Sequence, residues 1–101
     1  MTEPADAPVV REMGYSLDEF TRVLPLAMRD WQVGGGPLNW QVRDAAGDVD
    51  VEIELRPLPD RRIGALSLPV LSVTIDPRAT PAALMRNFMR RFDRGFHRGG
   101  G

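Results

Sequence analysis

The sequence predicts a two-layer α+β domain of order α-β-β-β-α, a three-stranded antiparallel meander with two helices on one face. Two amphipathic helical stretches, an alternating apolar and polar segment between them, and turn residues at the joints lead to it. A chain of 101 residues is one domain, long enough to bury a core. The reading divides it into a flexible leader over 1–13, a single domain over 14–97 and a flexible Gly-rich tail over 98–101.

The leader holds Pro4, Pro8, alanines and acids without apolar periodicity. Ser16-Leu17-Asp18-Glu19 is a capping box, in which Ser16 and Glu19 each satisfy an orphan backbone N–H. Behind it Leu17, Phe20, Val23, Leu24, Ala27, Met28 and Trp31 share one side of a helix, opposite Asp18, Arg22 and Arg29. Pro25 predicts a kink or a split near Thr21 to Leu24. Gly34-Gly35-Gly36-Pro37 reads as a flexible connector; a phosphate loop would need a helix and a Lys-Ser/Thr pair after it.

Leu38, Trp40 and Val42 alternate with Asn39, Gln41 and Arg43 in the first strand, and Asp44 to Asp48 form a hairpin loop. Val49, Val51, Ile53 and Leu55 alternate with Asp50, Glu52 and Glu54 in the second, so the helices should cover the face carrying Trp40, Val42, Val51, Ile53 and Leu55. Pro57-Leu58-Pro59-Asp60 is read as a turn into a third strand, Arg61 to Asp76. Pro69 should leave that strand bulged and at an edge. Thr80 as N-cap and Pro81 as first helical residue start the second helix, which runs to about Arg94 and stops at Gly95.

Composition excludes several chemistries. Without cysteine there is no disulfide, thiolate nucleophile or Cys-ligated metal. His97 is the only histidine, so a charge relay of the usual kind and a multi-histidine metal site fall outside a single chain. The expectation is no catalytic grouping, no cofactor and no metal. Acids at the N-terminus, where a signal peptide carries positive charge, and the lack of an apolar run of about 20 residues point to a cytoplasmic protein with no membrane partner. Asp50, Glu52 and Glu54 read as surface charge paired with Arg43, Arg61 or Arg62.

Two features suggest binding. In the second helix Leu84, Met85, Phe88, Met89, Phe92 and Phe96 fill one arc, and Arg86, Arg90, Arg91, Arg94 and Arg98 fill the other. That face suits an anion or an acidic partner; the plainer reading is a solvated surface complementing the helix dipole. In the third strand Leu66, Leu68 and Val70 lie on one parity while Leu71, Val73 and Ile75 lie on the other. One set exceeds what a half-wet strand buries, so Leu66, Leu68 and Val70 are a candidate partner interface, unless a bulge at Pro69 turns both sets inward.

The order α-β-β-β-α resembles that of a double-stranded RNA-binding domain. The start of the second helix carries no cation before Arg86, and Asp44 and Asp48 in the first hairpin loop would oppose a polyanion. The terminal Arg98-Gly99-Gly100-Gly101 is similar to the tail of ubiquitin-like sulfur carriers, although theirs follows a strand and this one follows a helix. Met13-Gly14-Tyr15-Ser16, with Arg91-Phe92-Asp93-Arg94-Gly95-Phe96-His97-Arg98-Gly99-Gly100, resembles a set of short uncharacterised bacterial proteins, a resemblance that implies no activity. The functional expectation is a non-enzymatic domain that associates with itself or with another protein. The alternatives are weak, non-specific nucleic-acid binding through the arginine face, and an enzyme or small-ligand binder whose pocket gathers Asp or Glu with Tyr15, Trp31 or His97.

Overall fold

The structure, a computed structural model, describes residues 7–97. Its elements in chain order are β1 (Val9–Met13), α1 (Leu17–Ala27), β2 (Gln32–Gly35), β3 (Asn39–Arg43), β4 (Asp50–Ile63), β5 (Leu66–Asp76) and α2 (Ala82–Gly95). The strands form one antiparallel sheet in the order β1-β5-β4-β3-β2. The fold is therefore α+β, but with five strands where the sequence pattern led to three. The order is β-α-β-β-β-β-α, so the topological likeness to an RNA-duplex binder lapses.

The capping box forms: the Ser16 Oγ accepts from the Glu19 N–H at 3.1 Å and the Glu19 carboxylate accepts from the Ser16 N–H at 2.9 Å. Helix α1 is continuous through Pro25, so the expected split does not occur. The proline sits on the exposed side two residues before the helix ends, where one missing N–H disturbs little. Phe20, Leu24 and Met28 are buried, and Trp31 beyond the helix end stacks on Phe88 of α2. One core cluster joins these residues to Trp40, Val42, Val51, Ile53, Leu55, Leu71, Val73 and Ile75 from the sheet and Met85, Phe88, Phe92 and Phe96 from α2. The strand register is the one the alternation gave, with both helices on that face.

Several expectations are corrected. Residues 9–13 are not a flexible leader but form β1, paired with β5 from Val9↔Ile75 to Met13↔Leu71; residues 1–6 lie outside the described residues. This pairing makes the Leu71–Ile75 half of β5 internal, so the third strand of the sequence reading is not an edge there. Residues 34 and 35 are no flexible connector but belong to β2, at the opposite edge. Gly36, at φ 99°, lies under Trp40: a Cβ there would sit 2.5 Å from the indole ring.

Residues 57–60 do not turn the chain. Strand β4 runs through them to Ile63, the turn falls at Gly64 and Ala65, and the irregularity lies opposite Pro69, with the extra residue in β4 between Leu58 and Arg61 and not in β5. Thr80 does not cap α2; that position is taken by Pro81. The Thr80 hydroxyl, 1% exposed, instead accepts from the Asp50 N–H at 2.9 Å and donates to the Asp50 carbonyl at 3.0 Å, fastening the start of β4 to the approach of α2.

Gly95 ends α2 as expected, but it does so against α1. A Cβ on it would lie 2.7 Å from the Ala27 Cα and closer still to the Ala27 Cβ. Glycine is required here by close helix approach.

Candidate functional site

Strand β1 ends at Met13↔Leu71 on one side of the hairpin and β3 ends at Asn39↔Glu54 on the other. Residues 58–63 and 66–70 therefore continue as a two-stranded arm that pairs with no third strand, with Glu12, Met13 and Gly14 beside its base. At about 3.3 Å per residue the arm is about 20 Å long, more than a third of the 53 Å long axis of the molecule. Neither helix reaches its tip, where residues 59–68 are all exposed.

Register sorts the arm into two faces. Leu66 pairs with Ile63, Leu68 with Arg61 and Val70 with Leu58, all on the side away from the helices. Arg62 pairs with Ser67 on the other side, where the Ser67 hydroxyl donates to Asp60 at 2.8 Å. Thus Leu66, Leu68 and Val70 do share one face, joined by Leu58 and Ile63. Leu66 is 63%, Ile63 55% and Leu68 41% exposed, while Val70 and Leu58 are half-buried. The sequence does not place Leu58 and Ile63 on this face, because Leu58 falls in the Pro57 to Asp60 stretch that reads as a turn, and Ile63 joins Leu66 only through the turn at Gly64 and Ala65.

The arm's edges are blunted. The Leu55 N–H donates to the Leu38 carbonyl, toward β3, so by alternation the nitrogen of Pro57 also points to that outer edge. Leu55 pairs with Val73, so the same alternation directs the nitrogen of Pro69 to the opposite outer edge. Both prolines thus cost the β4–β5 ladder nothing and remove donors that an added strand would need.

The arginine face of α2 divides. Arg86, Arg90 and Arg94 are exposed and have no ion pair among the described residues; Arg98 lies outside them. Arg91 is folded back: its guanidinium lies 5.0 Å from the Trp31 ring centroid, and its Nη2 donates to the Arg29 carbonyl. The Asp30 carboxylate, 4.0 Å away, is almost fully exposed and screens it little. A groove of about 280 Å³ beside it is lined by Trp31, Asn87, Arg90, Arg91 and Arg94.

A cleft of about 400 Å³ between β1 and the end of α2 does gather Tyr15 and His97 with Asp93 and Arg11. The Asp93 carboxylate is ion-paired with Arg11, and the Tyr15 hydroxyl donates to the Phe96 carbonyl at 2.7 Å. Asp93 is thus engaged by Arg11 and the Tyr15 hydroxyl by the Phe96 carbonyl. On the acidic strand, Asp50 faces Arg43 at 3.6 Å and Glu52 faces Arg78 at 2.8 Å, while Arg61 pairs with Glu12. Among the described residues no group of His, Asp or Glu is placed to hold a metal ion, and no helix is long and apolar enough to cross a membrane.

No family model matches the chain, and the searches of curated proteins and of solved structures return no match.

Proposed function

We propose that the protein is a non-enzymatic association domain whose contact is the open face of the β4–β5 arm and whose partner is a second copy of the chain. The observation that carries this is the arm itself. A two-stranded ribbon is marginal in water unless one face is covered, and this one leaves Ile63, Leu66 and Leu68 exposed beside half-buried Leu58 and Val70. Pro57 and Pro69 oppose growth by strand addition at the edges, which leaves face-to-face packing. A two-fold axis through the arm would lay the apolar face of one copy on that of the other and keep the Asp60, Arg62 and Ser67 face wet.

Size sets the strength. The ribbon's footprint, about 20 Å by about 10 Å, is on the order of 200 Å² per copy. That is well below the roughly 800 Å² per partner of standard interfaces, so the dimer should be weak and concentration-dependent. Sedimentation velocity over a hundredfold dilution series tests this: the wild type should shift toward a larger species at high concentration, and Leu68→Asp should stay monomeric with an unchanged far-ultraviolet circular dichroism spectrum. A wild type that is monomeric throughout would overturn self-association.

A further inference from the structure

We infer that the groove between the end of α1 and the outer side of α2 is a binding site for a phosphate oxyanion, held by Arg90, Arg91 and Arg94. It is separate from the arm and does not depend on it. Three guanidinium groups line one groove, and no carboxylate within the ion-pair limit belongs to it except the exposed Asp30 at 4.0 Å. Arg29 lines an adjoining groove with Arg91 and Arg94, while Asp93 on α2 is ion-paired with Arg11 and Asp30 is exposed, so cations exceed acids around the groove.

Arg91 supplies the preorganisation. Phe88 is fully buried, Trp31 stacks on it at 6.1 Å with an interplanar angle of 25°, and the Arg91 guanidinium lies over Trp31. The core thus fixes the plane of a cation at the surface, where a free arginine would sample many rotamers. Its Nε–H is buried with no acceptor among the described residues; the group is held by its stack and by the Arg29 carbonyl, and its acid partner, Asp30 at 4.0 Å, is exposed. Arg90 and Arg94, one helical turn apart on α2, flank it and are free to close on a ligand.

The number of cations selects the ligand class. A carboxylate carries one charge and two oxygens, which a single arginine fork satisfies. A phosphate monoester carries between one and two charges at neutral pH and offers three oxygens, one for each of three arginines. The same chemistry is found in free phosphate and at the end of a nucleotide.

Proton–nitrogen NMR of the wild type separates the outcomes, since the indole N–H of Trp31 reports the groove while that of Trp40, bonded to the Pro37 carbonyl, serves as internal reference. Inorganic phosphate replacing sodium chloride at constant ionic strength should shift the Trp31 and Arg91 Nε signals saturably and leave Trp40 in place. The double substitution Arg90→Gln, Arg94→Gln should weaken binding at least tenfold, whereas removing equal charge at Arg22 and Arg56 should not. Adenosine monophosphate binding more tightly than phosphate would identify a nucleotide as the source; equal affinity would identify the free anion. Shifts that are linear, that acetate reproduces at equal concentration, or that fall equally in the Arg22 and Arg56 control would overturn the site.

Discussion

Replacing Gly95 by alanine adds one methyl group at the place where α2 touches α1, and two effects of opposite sign compete. In a helix, alanine is favoured over glycine by up to about 1 kcal/mol, because the unfolded glycine has more freedom to lose. Against this, the new Cβ would lie 2.7 Å from the Ala27 Cα, and closer to the Ala27 Cβ, where carbon atoms rest at about 3.5 to 4 Å. No rotamer relieves it, since both opposing atoms belong to or adjoin the backbone. The helices must separate by about 1 Å, opening the packing of Phe20 on Phe92 and Phe96. Overpacking of this kind costs about 1 to 3 kcal/mol, and the rigidity of the contact puts it at the upper end. The net loss is then about 2 kcal/mol, a fall in Tm of about 8 to 16 °C for a domain of this size. Thermal melts followed by circular dichroism measure it. Adding Ala27→Gly should restore only part, because the Ala27 Cα clash remains. An unchanged or raised Tm for Gly95→Ala would refute the reasoning, showing that helix propensity outweighs the contact.

Thr80→Val should destabilise by about 1 to 3 kcal/mol, because it leaves both the N–H and the carbonyl of Asp50 without the hydroxyl they share; Thr80→Ser should recover most of it in urea titrations. Gly36→Ala should disturb the Trp40 site as well as stability, since it combines a positive φ with a Cβ against the indole. Near-ultraviolet circular dichroism that stays native at unchanged stability would contradict this account.

The parts of the fold that could be read in advance are those where a local period reports burial. Trp40, Val42, Val51, Ile53 and Leu55 alternate because one sheet face is wet, and Phe88, Phe92 and Phe96 recur at helical spacing because one arc of α2 is buried. Strands β1 and β2 carry no such report. Val9–Met13 is five residues with one charge on each parity, and Gln32–Gly35 ends in two glycines, so both are strands only because an open neighbour offers them a ladder. The purpose of Gly95 depends on Ala27, 68 residues earlier, and that of Thr80 on Asp50, 30 residues earlier. The surplus of apolar residues around Pro69 was visible, and so were the arginines of α2. That Arg91 bends onto Trp31 while Arg90 and Arg94 stay open required the structure.

The attachment of β1 also bears on how the chain assembles. The turn between β4 and β5 joins Ile63 to Leu66 across two residues, whereas pairing Met13 with Leu71 closes a loop of 57. Chain entropy makes the second closure about 3 kcal/mol more expensive than the first. The meander from β2 to β5 can form from neighbouring segments, and β1 gains its ladder only once the edge of β5 is already in place. Chain entropy therefore favours an order in which β1, synthesised before the strand it pairs with, is the last to dock.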